Sequence, residues 1–186
     1  MALVRQGVTL EEFLRLPEQE PALEYEEGRI LQKVAPKGRH SRLQYRIAEC
    51  INRFTEPRTL ALAFPELRVT FGGRSYVPDV AVFLWDRSPT ETTGQIADEF
   101  AIPPDIAVEI ASPEQSVNAL VRRCIWYVVN GVRGALLVDP ADESVLAFRP
   151  DQTPRALRGS EMLELNDVLL GFALTVQELF DFLRVR

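Results

Sequence analysis

The sequence predicts an α+β (α/β) fold in which a mixed β-sheet core is flanked by helices. Two segments carry apolar residues at helical spacing, residues 43–54 and 117–128. Four apolar segments have strand length, three between these helices and one after the second: 60–71, 76–84, 105–111 and 135–138. The resulting order αβββαβ is typical of an α+β or α/β protein with a mixed sheet.

Short extensions precede and follow this core. Thr9 with Glu12, and Thr175 with Glu178, have the spacing of a capping box, in which the threonine caps the helix and the glutamate bonds back to it. They predict a short N-terminal helix and an amphipathic C-terminal helix. Residues 23–34 have the pattern of a hairpin with a glycine in its turn. The core is therefore expected to carry an N-terminal helix and hairpin and a C-terminal helix.

Each core segment has a recognisable end. The first long helix is expected to end at Pro57, and a glycine pair at 72–73 predicts a hairpin turn between the first two strands. Residues 112–115 predict the cap of the second long helix, which should stop at residues 130–131, an Asn-Gly pair. Residues 144–148 are expected to pair antiparallel with the fourth strand.

The composition predicts a single domain spanning residues 1–186. The 186 residues are 46% hydrophobic and 26% charged, which suffices for a substantial core. No apolar run has membrane length and the first residues lack a signal-peptide pattern, so we expect a cytoplasmic protein with no membrane partner. The net charge of −6 disfavours a broad cationic nucleic-acid surface but permits a local basic groove.

Two cysteines and one histidine limit the metal chemistry. Cys50 and Cys124 fall on the apolar stripes of the two long helices, which predicts buried, reduced thiols. With one histidine and no closely spaced cysteine pair, a zinc site is not expected. Lys33 and Lys37 are the only lysines, so few residues can supply a catalytic ammonium group.

Two carboxylates interrupt strands that otherwise have a buried pattern. Asp79 lies in YVPDVAVFL and Glu109 lies in IAVEIA. An unpaired buried carboxylate costs several kcal/mol, so each needs a cation, a metal or several donors. Each acid alone could reach solvent or an arginine at a sheet edge. If the two strands are neighbours, however, the acids meet, and hard oxygen ligands of this kind select Mg²⁺ or Mn²⁺.

The order of these residues resembles a known nuclease pattern. The matching elements, in chain order, are T-x-x-E-F from Thr9, Glu24, His40, PDVAVF, PDIAVEIxSP, Arg123, Y-x-x-x-G-V and V-D-P. This set resembles the PD-(D/E)XK nuclease superfamily, and more narrowly its bacterial Uma-type branch of restriction-endonuclease-like proteins. The resemblance implies a restriction-endonuclease-like fold over most of the chain.

The resemblance also implies a divalent-metal-dependent DNA endonuclease. Asp79, Glu109 and the backbone carbonyl of Ile110 would hold Mg²⁺ or Mn²⁺, and Glu24 would add a further carboxylate. Such an ion lowers the pKa of a bound water and offsets charge that develops on the scissile phosphate. A solvated hairpin position is the alternative for Glu24.

The lysine that this nuclease pattern normally contains is replaced in this chain. The superfamily's simplest form has lysine where this chain has Ala111, and the Uma-type branch has it at the position of Arg123. Arginine cannot act as a base at neutral pH, but it binds phosphate well. We therefore include Arg123 in the catalytic set and expect it, or failing that Arg122, to donate hydrogen bonds to Asp79 or Glu109.

Two other functions are compatible with the same sequence. One is a degenerate nuclease fold that binds nucleic acid or a protein partner without cleavage. The other is an interaction protein whose apolar C-terminal helix forms a homodimer surface. Carboxylate-dependent binding of Mn²⁺ distinguishes the nuclease from both.

Other polar residues have more than one interpretation. His40 is either a hydrogen-bonded structural histidine or a catalytic one. Tyr127, one turn after the helical arginine, is expected to stack on its guanidinium rather than take part in chemistry. Arg39, Arg42 and Arg46 either form a basic face that meets phosphates or are simply solvated.

Overall fold

The computed structural model describes residues 1–185, so Arg186, the last residue of the predicted domain, lies outside the described residues. Within them the chain forms four α-helices and eleven strands. The helices are α1 (Leu10–Leu14), α2 (Gly38–Thr55), α3 (Val117–Val129) and α4 (Val176–Asp181). The strands are β1 (Ala2–Gln6), β2 (Leu23–Glu26), β3 (Arg29–Gln32), β4 (Ala61–Pro65), β5 (Val69–Phe71), β6 (Arg74–Tyr76), β7 (Val80–Leu84), β8 (Ile106–Ile110), β9 (Gly134–Asp139), β10 (Ser144–Phe148) and β11 (Arg155–Arg158).

Six strands form a mixed sheet in the order β11-β10-β9-β8-β7-β4. β8 and β9 are parallel, with Ile106 opposite Gly134, and the other neighbouring pairs are antiparallel. α3 provides the crossover that two parallel strands require. The predicted mixed sheet is confirmed, and so is the αβββαβ order of its core, in which β4, β7 and β8 are the strands of this sheet between the long helices.

A second sheet has no counterpart in the sequence prediction. Five antiparallel strands form it in the order β1-β3-β2-β6-β5. The sequence predicts one continuous strand over residues 60–71 and another over residues 76–84. Both predictions are wrong, because the chain changes sheet within or beside each segment. Glu66 has a φ of 51° and Pro78 has no N–H to donate, so neither residue continues a strand ladder. The glycine turn at 72–73 joins β5 to β6 as predicted.

Both faces of the six-stranded sheet are covered. α2 and α4 pack on one face with the segment 163–174, where Val108 of β8 joins the core. α3 packs on the other face with Ala107 of β8 and aromatic residues of the smaller sheet, including Tyr76. Because alternate residues of a strand face opposite sides, Glu109 shares the α3 face with Ala107.

The two short helices begin at the predicted capping boxes, whereas α3 does not begin at its predicted cap. Thr9 and Thr175 cap α1 and α4 through the predicted capping boxes. α3 begins after Ser116, whose side chain makes no capping bond, so the predicted cap at 112–115 is wrong. Those residues form a separate turn, closed by a hydrogen bond between the first and last of them. The predicted stop at residues 130–131 is confirmed.

Both cysteines are free thiols. Cys124 is fully buried, as predicted. Cys50 is only half-buried, which corrects the prediction, because it lies at the edge of the α2 stripe beside the half-buried Glu49.

No helix within residues 1–185 combines the length and the apolar character needed to cross a membrane.

Candidate active site

Asp79 lies where the chain passes from one sheet to the other, immediately before β7. The antiparallel register of β7 and β8 pairs Val80 with Val108, and one further step along it brings Asp79 opposite Glu109. Directly opposite residues share a sheet face, so the two acids are neighbours across adjacent segments, as the sequence predicts.

Three groups contact the Asp79 carboxylate, which is 2% exposed. Lys33 Nζ donates to Oδ1 at 2.7 Å, the Ile110 N–H donates to Oδ2 at 2.7 Å, and His40 Nε2 lies 3.0 Å from Oδ2. Burial by itself would raise the pKa of Asp79, but Lys33 and His40 outweigh it and lower this pKa to about 2. Asp79 is therefore ionised at neutral pH, and its principal cation is a lysine.

Lys33 is a site residue that the sequence analysis does not assign. It follows β3, is buried, and also donates to the Val77 carbonyl at 2.8 Å. Burial opposes its charge, but the carboxylates of Asp79, Glu109 and Glu24 outweigh this effect and raise the pKa of Lys33. One feature of the sequence points to Lys33 as a site residue. It is one of only two lysines, and it lies in the apolar half of the predicted hairpin.

Arg123 binds Glu24 in a bidentate ion pair. Nη1 and Nη2 donate to Oε1 and Oε2 at 2.9 and 2.6 Å, and Glu24 Oε1 also accepts the Val77 N–H at 3.0 Å. Glu24 is fully buried, so the solvated hairpin alternative is wrong. Arg123 Nη1 lies 3.5 Å from Glu109 Oε1, so the predicted contact with the acid pair exists, but Glu24 is the main partner.

The ring stacked on Arg123 is Tyr76 rather than Tyr127. The guanidinium carbon lies 4.2 Å from the centre of the Tyr76 ring. The predicted stack with Tyr127 is wrong because that ring is packed edge-on against Tyr76, with 5.8 Å between ring centres. Tyr127 instead donates its hydroxyl proton to Glu109 Oε1 at 2.7 Å.

Glu109 is the least compensated acid of the cluster. It is 2% exposed, and the donors found for it within residues 1–185 both meet Oε1, Tyr127 at 2.7 Å and Arg123 at 3.5 Å. Burial raises the pKa of Glu109 to about 7, with Arg123 opposing the rise and Asp79 reinforcing it. At neutral pH this carboxyl group is therefore only partly ionised.

The cluster fits a divalent cation in its chemistry and charge. Three carboxylates face two buried cations, and carboxylate oxygens are the ligands that Mg²⁺ and Mn²⁺ prefer. Among the described residues, no three His, Cys, Asp or Glu side chains are close enough to form a metal site as they stand. Lys33 and Arg123 already bind the carboxylate oxygens, so an ion would compete with these cations for them.

Two residues of α2 also contact Asp79. His40 lies in the first turn of α2 and is 6% exposed, and Gln44 Nε2 donates to the Asp79 backbone carbonyl at 3.1 Å. His40 is thus hydrogen-bonded, as one of its two interpretations predicts. Its Nδ1 is buried and has no hydrogen-bond partner in the part of the chain that the structure describes.

A comparison with known protein families shows to which family this chain belongs. A family model described as "Uma2: Putative restriction endonuclease" matches residues 10–177, which is most of the sequence. The chain belongs to the Uma2 family. The Uma-type resemblance stated from the sequence motifs is therefore confirmed.

A solved structure supports the fold of this Uma2-family chain. It is the crystal structure of a protein from Anabaena variabilis described as "a putative nuclease belonging to DUF820". The two chains are 39% identical, the alignment covers 95% of this chain and 99% of the other, and the TM-score is 0.92. No curated protein matches the chain. The predicted restriction-endonuclease-like fold is confirmed.

The basic face that is one interpretation of the α2 arginines is only partly free in this Uma2-family chain. Arg46 pairs with Glu49 and lies over the Phe182 ring, 4.3 Å from its centre. Arg42 Nε donates to the Phe182 carbonyl at 3.1 Å. Arg39 is exposed, and no ion pair to it occurs within residues 1–185. Arg46 therefore packs against the C-terminal segment, whereas Arg39 and the outer part of Arg42 face solvent.

Proposed function

We propose that this Uma2-family chain is a nuclease that hydrolyses phosphodiester bonds in DNA with a bound Mg²⁺ or Mn²⁺ ion. The observation that carries the proposal is the buried cluster of Glu24, Asp79 and Glu109, in which three carboxylates face only two cations. Buried excess charge is unfavourable in a purely structural site and suits a divalent cation. The descriptions of the family and of the Anabaena protein, which name an endonuclease and a nuclease, support the same reaction.

Asp79 and Glu109 would hold the ion, with Glu24 and the backbone carbonyl of Ile110 completing the ligand set. When bound, the ion lowers the pKa of a coordinated water and offsets charge on the scissile phosphate. The Ile110 N–H donates to Asp79, so the end of β8 and the start of β7 are held together by a bond that does not depend on the ion. This bond fixes the relative positions of the two principal ligands.

Lys33 holds Asp79 and supplies a positive charge. Because the neighbouring carboxylates raise its pKa, Lys33 stays protonated at neutral pH and does not act as a base. An ammonium group in a buried site can instead stabilise charge that develops on a phosphate oxygen. We therefore assign to Lys33 the electrostatic role that the family pattern gives to its lysine.

Arg123 is proposed as a positioning residue rather than a catalytic one. Its bidentate bond fixes both oxygens of Glu24, and Tyr76 supports the other side of the guanidinium. The carboxylates, Glu24 foremost, outweigh the effect of burial and raise the pKa of Arg123 well above its ordinary value, which excludes a role as base. Tyr127 orients Glu109 in the same way, through its hydroxyl group.

A binding module without cleavage is the second candidate. The observation that favours it is that both oxygens of Asp79 and both oxygens of Glu24 already have donors. If these ion pairs are purely structural, the cluster is nearly satisfied without any ion. Such a protein would bind its nucleic-acid or protein partner without using the three carboxylates.

A plasmid-nicking assay with Mn²⁺ separates the two candidates. We expect the wild type to nick DNA, and Asp79→Asn and Glu109→Gln each to lower the rate by about 100-fold or more, because each removes a charge that holds the ion. Glu91→Gln is the matched control, since Glu91 is an exposed loop carboxylate, and it should nick at the wild-type rate.

Calorimetry with Mn²⁺ provides the second readout. The wild type should bind the ion and Asp79→Asn should not, while urea denaturation verifies that each variant is folded. If the wild type nicks no faster than Asp79→Asn and shows no carboxylate-dependent Mn²⁺ binding, the nuclease proposal is overturned and the binding module stands.

A further inference from the structure

Two cavities meet at the first turn of α2. One, of about 450 Å³, is bordered by His40 and Ser112, and the other, of about 490 Å³, is bordered by the C-terminal segment around Phe182. Gly38 and Arg39 line both of them. The two cavities therefore adjoin at the start of α2, and together we call them the α2 groove.

Two arginines of the α2 groove have no carboxylate partner within residues 1–185. Arg39 and Arg42 are exposed and lie one helical turn apart, and no carboxylate within residues 1–185 forms an ion pair with either. The other cations of the groove are engaged, since Lys37 pairs with Glu114 and Arg184 pairs with Asp181. In a chain with a net charge of −6, two adjacent unpaired arginines in a groove indicate an anionic partner.

Backbone geometry favours the same kind of partner. α2 has 18 residues, no side-chain cap at Lys37 and no acidic residue in its first turn, so no carboxylate of its own offsets the positive end of its dipole beside the groove. Anions bind readily at such a helix start.

His40 connects the α2 groove to the carboxylate cluster. It lines the first cavity together with Ser112, is more than nine-tenths buried, and its Nδ1 has no hydrogen-bond partner in the described chain. Its Nε2 lies 3.0 Å from Asp79. A ligand in the groove is thus one side chain away from the proposed metal ligands. An acid also lies in this cavity, Asp139, whose Oδ1 accepts the Ala141 N–H.

We propose that the α2 groove binds the phosphodiester backbone of the nucleic acid, with phosphates beside the scissile one lying against Arg39, Arg42 and the first turn of α2. This inference rests on the proposed function and adds the path that the substrate strand takes. Arginine suits the task because its planar guanidinium binds phosphate oxygens in a bidentate manner. The contacts are to the backbone, so they position the strand without reading its sequence.

Binding without cleavage tests the groove separately from catalysis. Fluorescence anisotropy in EDTA would measure the affinity of labelled single-stranded DNA, duplex DNA and RNA for the wild type and for Arg39→Gln/Arg42→Gln. We expect the double variant to lose affinity by about tenfold or more. The slope of log Kd against log salt should fall by about 1.4 to 1.8, since each lost phosphate contact removes about 0.7 to 0.9.

Two matched variants complete the design. Arg5→Gln/Arg53→Gln removes the same charge from exposed positions outside the groove and should bind within about twofold of the wild type. Arg39→Lys/Arg42→Lys keeps the charge and should retain most of the salt slope. Equal urea midpoints for all variants would exclude misfolding as the cause.

The possible outcomes test the groove inference and the proposed function separately. If the wild type binds and Arg39→Gln/Arg42→Gln binds equally well with an unchanged salt slope, the groove inference is overturned and the nuclease proposal is untouched. If the wild type binds none of the three nucleic acids, the proposed function fails and the groove inference fails with it. A loss confined to the groove variant supports the inference, and the three probes identify the preferred backbone.

Discussion

The replacement Glu109→Gln should stabilise the metal-free protein at alkaline pH. Glutamine keeps an acceptor for the Tyr127 hydroxyl, which bonds to Glu109 Oε1 at 2.7 Å, and it removes the buried charge. Burial, reinforced by Asp79, raises the pKa of Glu109 from 4.5 to about 7. Ionisation of this group is therefore unfavourable in the folded state, and its replacement by a neutral amide should relieve that cost.

The magnitude follows from proton linkage. Below pH 4.5 the carboxyl group of Glu109 is protonated in both the folded and the unfolded chain. Between pH 4.5 and about 7 the folded state binds the additional proton, so the free energy of unfolding falls as pH rises through this window. At about 1.4 kcal/mol per pH unit, the wild type loses up to about 3 kcal/mol relative to Glu109→Gln. Asp79 titrates in a separate window, since its pKa lies at about 2.

Urea denaturation in EDTA at several pH values between 5 and 8.5 measures this difference. At pH 5 the wild type and Glu109→Gln should have similar stability, and at pH 8.5 the variant should be more stable by as much as about 3 kcal/mol. Glu91→Gln, at an exposed loop position, should follow the wild-type curve throughout. Parallel curves for the wild type and Glu109→Gln across the whole range would refute the reasoning, because they would mean that Glu109 titrates normally.

The cluster and its neighbours yield two further predictions, both measured by urea denaturation at pH 7. Lys33→Met should cost about 3–5 kcal/mol because it removes the principal cation of the buried Asp79 carboxylate. Lys37→Met, which breaks an exposed pair, should cost less than about 1 kcal/mol, and equal losses would contradict the assignment. Tyr127→Phe should cost about 1–3 kcal/mol because it removes the donor to Glu109, whereas Tyr45→Phe at an exposed position should be neutral.

Local signals account for the part of the fold that the sequence predicts. Capping boxes, helical stripes and apolar runs of strand length are properties of short segments; the first two predict the four helices, and the apolar runs predict the strands of the core. The division of residues 60–84 between two sheets depends on the positive φ of Glu66 and on Pro78, neither of which interrupts the apolar pattern strongly. β1 has five exposed residues and no alternation, so only its pairing with β3 defines it as a strand.

The candidate site also has a part that the sequence predicts and a part that it does not. Asp79 and Glu109 are predictable because a carboxylate within an apolar strand conflicts with burial, and such conflicts mark functional sites. Their cations are harder to predict because the pairing is distant in sequence. Lys33 meets Asp79 across 46 positions, and Arg123 meets Glu24 across 99. A lysine near a hairpin otherwise has the pattern of a solvated residue.

The carboxylate cluster lies between the two sheets and joins them. Glu24 and Lys33 come from the five-stranded sheet or its edge, Glu109 comes from the six-stranded sheet, and Asp79 lies between the two. A buried ion pair adds little net stability, whereas loss of one partner is costly, so this boundary requires acids and cations in balance. The two cations offset only two of the three carboxylate charges. The raised pKa of Glu109 lets this group retain a proton, which removes the third charge. A bound divalent ion would remove the need for that proton, so in the proposed nuclease metal binding would be coupled to the ionisation of Glu109 at the boundary that joins the two sheets.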